Sequence, residues 1–180
     1  VLDHHDIPVD QTGQMQLVAA DAVVNPKRPD CPYPFKLYCA AAICFRFAEA
    51  LYLHYKIDWI RIREQLLPFA AMATVCDLVD LVGENRAIVK QGLPLLAQSQ
   101  NPGLLALMEA TGLLNTELTA YHLGFRLGPC INASGRLEAA SLAVELFLTE
   151  NAQKAAEKAA YLVELNETRK TLTEQGTEIA

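Results

Sequence analysis

The stretch Val1-Leu-Asp-His-His5 decides the fold, because two apolar residues run directly into a carboxylate and two imidazoles. A second apolar run, Asp21-Ala-Val-Val-Asn25, ends in an Asn-Pro pair, which is typical of a buried strand followed by a turn. Open α/β sheets bind their ligands at the carboxyl ends of the strands. We therefore predict an α/β fold with parallel strands, in which Asp3, His4 and His5 lie at the ligand-binding edge.

Helices are predicted for most of the remaining chain, so that this piece is predominantly α-helical with short strands near its N-terminus. The apolar composition of Lys36–Tyr55 predicts a buried helix. A second helix is expected from Asp58 to Leu67, because the proline at position 68 removes a backbone hydrogen bond. The amphipathic segment Glu84–Leu96 predicts a third helix, with a break near Gly92.

The second half of the chain alternates short helices with turns. Helices are predicted over Leu104–Thr111, Thr116–Leu123 and Leu137–Leu148, and the glycine-punctuated segment Gly124–Gly135 predicts a loop. The final segment, Asn151–Ala180, is rich in Ala, Glu, Lys and Leu and predicts a long helix. That helix either leaves the body towards another domain or covers the protein surface.

Composition excludes several functional classes. The 180 residues carry 15 basic and 21 acidic side chains, and the net charge of −6 argues against a general nucleic-acid coat or a basic membrane-surface protein. A small local basic site is compatible with this charge. The longest apolar stretch, Leu37–Leu53, contains Arg46 and Glu49, so no membrane partner is expected. Five scattered cysteines without a C-x-x-C pair favour a reducing, cytoplasmic compartment over a disulfide framework or zinc ribbon.

The first candidate site is formed by Asp3, His4 and His5. Imidazole nitrogens bind Mn, Zn, Fe or Ni, and a neighbouring carboxylate can ligate the metal or orient a histidine ring. The end of a strand also suits a phosphate group. The alternative interpretation is a pair of solvated loop histidines.

Asp77 is the second candidate, because it interrupts the apolar run Ala73-Thr-Val-Cys-Asp-Leu-Val79. A carboxylate in such surroundings needs a compensating partner. That partner is either a metal ion or the backbone N–H groups of a helix that Asp77 caps at its N-terminus. The neighbouring Asp80 is less enclosed and has a structural interpretation.

The third candidate is Gly128-Pro-Cys-Ile-Asn-Ala-Ser-Gly-Arg-Leu137, where small residues surround one Asn and one Arg. Glycine lets the backbone approach a ligand closely, and the planar guanidinium of Arg136 suits phosphate. A helix starting near Ser134 would add N–H groups that point at an anion. The alternative is a glycine-rich connection between two helices that carries a surface arginine.

Taken in order along the chain, these segments resemble the DHH phosphoesterase family, and within it the RecJ-type single-stranded-DNA exonucleases. A lone D-H-H is a weak signal, whereas the ordered set covers nearly the whole chain. The segment Asn132–Arg136 points to the exonuclease branch rather than to pyrophosphatases or small-nucleotide phosphatases. The matching segments are Val1–His5, Ala20–Asp30, Ala73–Leu81, Gly83–Arg86, Gly92–Leu93, Leu127–Leu137 and Leu165–Arg169.

The resemblance implies a metal-dependent phosphodiesterase that digests single-stranded DNA from the 5′ end in DNA recombination and repair. Its cofactor would be Mn²⁺ or Mg²⁺ in a two-metal site, which activates water and stabilises the charge that develops on the phosphate. His4 and Asp77 would be metal ligands. Asp3 and His5 would be catalytic, with Asp3 acting as a ligand or as support for one and His5 facing the scissile phosphate.

The resemblance also assigns the substrate-binding residues, which would hold single-stranded DNA as the partner. They are Asn132, Ser134, Gly135 and Arg136. Residues 1–150 would form the C-terminal part of a parallel-sheet DHH catalytic domain whose upstream metal-binding motifs are missing here. Residues 151–180 would form a helix that leads towards a second, DHHA1-like domain. The isolated piece is therefore expected to be nearly inactive, and to associate through an exposed N-terminal edge.

Three residues depart from the pattern of the family. Ala40 and Ala42 stand where relatives often carry glycine, and Cys130 stands where relatives often carry arginine. These departures leave two alternative functions. One is a catalytically impaired nucleic-acid-binding module of the same family, and the other is a phosphodiesterase acting on short oligonucleotides or cyclic dinucleotides.

Overall fold

The computed structural model of the chain describes residues 1–179, with side chains to residue 177. The chain divides into two compact units, Val1–Leu93 and Pro94–Ala180. Both units are built mainly from helices, which confirms the prediction that this piece is predominantly α-helical. Within the described residues, β pairing is limited to single bridges in the N-terminal segment.

The predicted strands pair in parallel through one bridge, between Leu2 and Val24. The N–H of Asp3 donates to the carbonyl of Val24 (3.0 Å), and the N–H of Val24 donates to the carbonyl of Val1 (2.9 Å). Apolar side chains of this region are exposed, including Val1 and Val24. Association through this edge stays a prediction.

Two helices pack together in the first unit, α1 (Ala40–His54) and α2 (Trp59–Cys76). The predicted end of the second helix at Leu67 was wrong, because α2 continues through Pro68 for two further turns. A proline inside a helix costs about 3 kcal/mol through its missing N–H and its ring. Burial of the apolar residues that follow, Ala70 and Ala71 among them, offsets that cost.

Helix α3 (Gly83–Ala97) runs without interruption, so the predicted break near Gly92 was wrong. A Cβ on Gly92 would lie 2.3 Å from the Cβ of Ala71 and 2.9 Å from the carbonyl oxygen of Leu67. Glycine at this position therefore permits the backbones of α2 and α3 to approach closely. The residue serves a contact between helices and not a turn.

The first helix that lies wholly within the second unit is α4 (Pro102–Ala110), whose N-terminus is capped by Asn101. The Asn101 side chain accepts from the N–H of Leu104 (3.0 Å) and donates to the carbonyl of Phe147 (2.8 Å). It thereby ties α4 to the end of α7 (Ser141–Leu148). This confirms the helix predicted at Leu104–Thr111, with its start two residues earlier.

The segment predicted as a loop, Gly124–Gly135, is helical. A short α5 (Ala120–His122), a π-helical turn (Leu123–Leu127) and α6 (Gly128–Leu137) follow one another without a gap. Pro129 is the second residue of α6, which directly follows the π-helical turn. Buried leucines hold this stretch in the unit despite its glycines.

The long C-terminal helix is confirmed as α8 (Ala152–Ile179), which packs against α4, α6 and α7. Its first half buries Ala155, Ala159, Leu162 and Leu165, whereas Leu172 is exposed. The division at residue 150 stays a prediction, and Ala180 lies outside the described residues. No helix in the described part of the chain is both long and apolar enough to span a bilayer. Among the same residues no disulfide joins two cysteines.

The contact at Gly92 generates a stability prediction. Gly92→Ala should lower the free energy of unfolding by about 1–3 kcal/mol, because the added methyl group overpacks the α2–α3 contact. Urea denaturation measures this change. Gly176→Ala in α8 is the matched control, since a Cβ there meets no heavy atom within 4 Å. That control should stabilise by up to about 1 kcal/mol, and equal losses in both variants would contradict the packing role of Gly92.

Candidate functional site

His4 and Asp77 come together in the first unit although they are distant in sequence. The parallel bridge at Leu2 directs the chain so that the His4 ring lies beside the C-terminus of α2. The Nδ1 atom of His4 is 3.5 Å from the Oδ2 atom of Asp77. The His4 side chain is 17% exposed and that of Asp77 is 43% exposed. One nitrogen and one oxygen donor therefore face each other at a solvent-accessible position.

The interpretation of Asp77 as a buried residue or a helix N-cap was wrong. Asp77 lies at the C-cap of α2, where its N–H donates to the carbonyl of Ala73 (2.9 Å), and its side chain is exposed. The apolar residues before it face the core of the unit, while the chain turns away at Leu78, whose φ is +58°. A helix that ends on a left-handed residue usually carries glycine there, because a Cβ is strained in that conformation. The turn brings Asp77 out to the surface.

Asp3 contacts His5 and not Asp77. Its Oδ1 atom lies 2.7 Å from Nδ1 of His5 and also accepts from the backbone N–H of His4 (2.8 Å). The hydrogen bond with His5 is the main reason why the pKa of Asp3 is lowered from its ordinary value. The His5 side chain is 76% exposed. Asp3 therefore holds a histidine ring that faces solvent.

Asn25 fixes the turn that carries both histidines, and sequence reasoning missed this role. Its buried side chain donates from Nδ2 to the carbonyl of His5 (2.9 Å) and accepts at Oδ1 from the N–H of Lys27 (2.9 Å). The side chain of Lys27 in turn pairs with Asp6 (2.9 Å). The Asn-Pro pair that ended the predicted strand was the available signal, because asparagine side chains commonly bond to backbone groups nearby.

An open cleft of about 190 Å³ adjoins His4. It is walled by the loop after α2 and by the segment that precedes α1, and Lys27 supplies a cation at its edge. Such a space accommodates a small polar group beside His4. The lining residues are His4, Lys27, Leu37, Tyr38, Leu78, Val79 and Asp80.

A hydrogen-bonded cluster around Glu84 holds one wall of this cleft. The Glu84 carboxylate accepts from the hydroxyls of Tyr33 (2.8 Å) and Tyr38 and from the guanidinium of Arg46. Burial by itself raises the pKa of Glu84. The hydrogen bonds from Tyr38, Tyr33 and Arg46 outweigh burial and hold this pKa below its ordinary value of 4.5. Because Tyr38 lines the cleft, the ionised carboxylate positions part of the site.

Neighbouring Asn85 ties the same wall to the loop after α2. Its Nδ2 atom donates to the carbonyls of Leu37 (2.7 Å) and Asp80 (2.9 Å), both of which belong to cleft residues. The residue is fully buried, and its Oδ1 atom has no hydrogen-bond partner among the described residues. The two carbonyl acceptors fix the orientation of the Asn85 amide and thereby hold the loop after α2. The unpaired Oδ1 atom is destabilising, because a buried acceptor without a partner has lost its hydrogen bonds to water.

The predicted substrate residues all lie on α6, in the second unit. Asn132, Gly135 and Arg136 are exposed, and neither the Asn132 nor the Arg136 side chain makes a hydrogen bond or ion pair with residues 1–177. Ser134 differs from the prediction because it is buried in the middle of the helix, where its hydroxyl donates to the carbonyl of Ile131 (2.8 Å). No helix starts at Ser134, so the proposed anion site at a helix N-terminus was wrong.

Cys130 and Ala42, two of the three departures from the family pattern, face the interior. The thiol of Cys130 donates to the carbonyl of Arg126 (3.3 Å), and burial raises its pKa. Ala42 is fully buried, whereas Ala40 is half-buried at the first position of α1. Cys130 therefore faces the interior, whereas Arg136 is exposed. Among the described residues, no group of three or more His, Cys, Asp or Glu side chains could hold a metal ion.

Comparison with known proteins identifies the relatives of this chain. No family model matches it. The single-stranded-DNA-specific exonuclease RecJ of Bacillus subtilis is 34% identical over 180 residues, which is all of this chain and 21% of that protein. RecJ of Escherichia coli is 36% identical over 188 residues, covering 99% of this chain and 31% of that protein. The chain is homologous to one segment of the RecJ exonucleases.

Solved RecJ structures agree with this assignment. A crystal structure of RecJ from Thermus thermophilus in complex with Mg²⁺ matches 85% of the chain with a TM-score of 0.74 and 34% identity. A crystal structure of exonuclease RecJ bound to manganese matches the same share with a TM-score of 0.75. The chain spans about a fifth to a third of the length of its curated RecJ relatives, and 24% and 38% of these two solved RecJ chains.

The Glu84 cluster generates a prediction on pH dependence. Because the pKa of Glu84 is lowered in the folded state, its ionised carboxylate stabilises the fold fully above pH 4.5, which is its ordinary pKa. This stabilisation is lost as the pH falls through the lower pKa of the folded state. Between about pH 5 and pH 3, the unfolding free energy should therefore fall less steeply in Glu84→Gln than in the unaltered chain. Denaturant titrations across this range measure the slope. The exposed Glu174 supplies the control, since Glu174→Gln should leave the slope unchanged, and equal slopes in all three proteins would contradict the cluster.

Proposed function

We propose that this chain carries part of the active site of a metal-dependent exonuclease, which hydrolyses single-stranded DNA from the 5′ end in recombination and repair. The observation that carries the proposal is the approach of His4 to Asp77 at 3.5 Å. These residues belong to two separate motifs of the family resemblance. Homology to the RecJ exonucleases over the whole chain supports the same function.

The donor set of His4 and Asp77 fits Mn²⁺ or Mg²⁺. Carboxylate oxygens suit both ions, and imidazole nitrogen suits Mn²⁺ in particular. The 3.5 Å between Nδ1 of His4 and Oδ2 of Asp77 exceeds by about 0.5 Å the roughly 3.0 Å between adjacent ligands of an octahedral ion with bonds of about 2.1 Å. A bound pair of such ions lowers the pKa of water and stabilises the charge of the transition state. Further ligands would come from the rest of a RecJ-like protein, in the upstream motifs that the resemblance implies.

Asp3 and His5 would act on the substrate side of the ions. Asp3 bonds to Nδ1 of His5, so the Nε2 atom of the exposed ring is left for the scissile phosphate or its leaving group. The lowered pKa of Asp3 keeps its carboxylate ionised, so that it can orient the His5 ring through their hydrogen bond. Asn25 would position this pair, because it holds the carbonyl of His5.

Substrate binding falls to Asn132, Gly135 and Arg136. The guanidinium of Arg136 offers several donors in a planar fork that suits phosphate oxygens, and the Asn132 amide adds one neutral donor. Both side chains are exposed and have no internal partner among residues 1–177. Ser134 is left out of this group, because its hydroxyl is committed to its own helix.

The architecture that we propose for the whole protein is an α/β fold with a parallel sheet. The Leu2–Val24 bridge supports it, since this bridge is parallel and the candidate ligands follow it directly. Residues 1–150 would complete the catalytic domain. Residues 151–180 would lead to a second domain, in keeping with the exposed second half of α8.

The proposal is tested by exchanging the matching segment of Bacillus subtilis RecJ for this chain. The hybrid should release nucleotides from 5′-labelled single-stranded DNA in the presence of Mn²⁺. Asp77→Ala should lower the rate by at least about 100-fold. Loss of a metal ligand should lower activity at least as much as loss of a residue that only supports a ligand by a hydrogen bond. The readout is labelled nucleotide resolved by gel electrophoresis.

Glu64→Ala is the matched control, since it removes an exposed carboxylate from the surface of α2. This variant should digest DNA at the rate of the unaltered hybrid. Undiminished digestion by Asp77→Ala would contradict the assigned role. A hybrid that binds single strands without cutting them would favour the nucleic-acid-binding module instead.

A further inference from the structure

The helical stretch Ala120–Leu137 has one buried face and one exposed face. Positions separated by three or four residues lie on the same side of a helix. The buried positions are Leu123, Leu127, Cys130 and Ser134. The exposed positions of the same stretch include Tyr121, Phe125, Asn132 and Arg136, which follow one another at intervals of four, seven and four residues. The two aromatic residues therefore share a face with the proposed phosphate-binding residues.

Tyr121 and Phe125 form an exposed aromatic pair. Their ring centroids are 4.9 Å apart, with an angle of 26° between the planes, which is a stacked arrangement. Tyr121 is 62% exposed and Phe125 is 69% exposed. Stacking fixes both rings against each other and leaves aromatic surface open to solvent. Phe125 belongs to the π-helical turn Leu123–Leu127, and such turns occur frequently at functional sites.

The charge of this stretch suits nucleic acid. The chain as a whole carries a net charge of −6, yet residues 120–137 contain Arg126 and Arg136 and no Asp or Glu. Arg126 follows Phe125 in sequence and donates to the carbonyl of Thr111, whereas Arg136 has no internal partner among residues 1–177. The phosphate backbone of a nucleic acid is attracted to a stretch whose charged side chains are all positive.

The aromatic residues and the proposed phosphate-binding residues occupy different parts of the helical stretch. With a rise of about 1.5 Å per residue, Asn132 lies about 10 Å beyond Phe125, and the whole face spans roughly 22 Å. Proteins that bind single strands combine a positively charged path for the backbone with aromatic rings on which bases stack. Both elements occur here on one helical face within the second unit.

We infer that Tyr121 and Phe125 form a base-stacking platform for single-stranded nucleic acid, which continues the phosphate-binding face of Asn132 and Arg136. The inference rests on the proposed function and adds a subsite to it. The platform recognises the aromatic face of a base and is therefore tolerant of sequence. It would bind the strand through its bases without taking part in hydrolysis.

The test measures binding of the whole chain to fluorescently labelled oligo(dT) by fluorescence anisotropy at low salt. A second oligonucleotide of equal length carries abasic residues, so that it keeps the phosphates and lacks the bases. Phe125→Leu, which keeps an apolar side chain but removes the ring, should weaken binding to oligo(dT) by at least about five-fold. The same variant should bind the abasic strand as the unaltered chain does. Phe125→Trp should retain binding, and the added indole should be quenched by oligo(dT).

Leu148→Ala is the control, because it removes an exposed apolar side chain from α7, away from this face. It should leave both affinities unchanged. The inference is overturned if Phe125→Leu binds oligo(dT) normally, if it weakens both strands equally, or if the unaltered chain binds neither strand. It is also overturned if light scattering shows that the rings hold two copies of the chain together.

These outcomes separate the platform from the proposed function. Weakened binding in Arg136→Ala together with normal binding in Phe125→Leu would remove the platform and leave the phosphate site standing. Digestion of DNA by the hybrid exonuclease depends on Asp77 and is measured independently. Loss of that digestion would remove the proposed function even if stacking on Phe125 were observed.

Discussion

The parallel backbone pairing between Leu2 and Val24 is the interaction on which the rest of the site depends. It fixes the position of the backbone at Asp3, and the buried side chain of Asn25 holds the carbonyl of His5 through a hydrogen bond. Only with this turn in place does the His4 ring meet the end of α2. The two backbone hydrogen bonds of the bridge and the Asn25 amide thus determine the position of the His4 imidazole. They place it beside the Asp77 carboxylate, which is distant in sequence.

The helices supply the other half of that geometry. α2 must continue through Pro68 to deliver Asp77 to the surface, and it does so because its apolar face is buried against α1. Gly92 lets α3 approach α2, and the Glu84 cluster joins α3 to α1 and to Tyr38. The residues that hold the cleft are therefore more numerous than the residues proposed to act on substrate.

Sequence alone predicted the helical character of the chain better than it predicted the surroundings of individual residues. The apolar run around Asp77 predicted an enclosed carboxylate, whereas that run belongs to the buried face of a helix whose end carries the carboxylate outwards. Glycine was misread at Gly92 and over Gly124–Gly135, because a glycine that serves a close helix contact has the same local signature as one that serves a turn. The roles of Asn25 and Glu84 were missed because they depend on partners that only the fold brings near. The order of the motifs along the chain, by contrast, was sufficient to recognise the relatives.

The central claim is that His4 and Asp77 form part of a site for a divalent metal ion. NMR spectra of the imidazole groups during addition of Mn²⁺ test it directly, because this paramagnetic ion broadens the resonances of nearby nuclei even when it binds weakly. The chain has four histidines, so His54 and His122 serve as internal references. The account predicts that the resonances of His4 and His5 broaden first, and that Asp77→Asn abolishes this preference. Uniform broadening of all four histidines would contradict it.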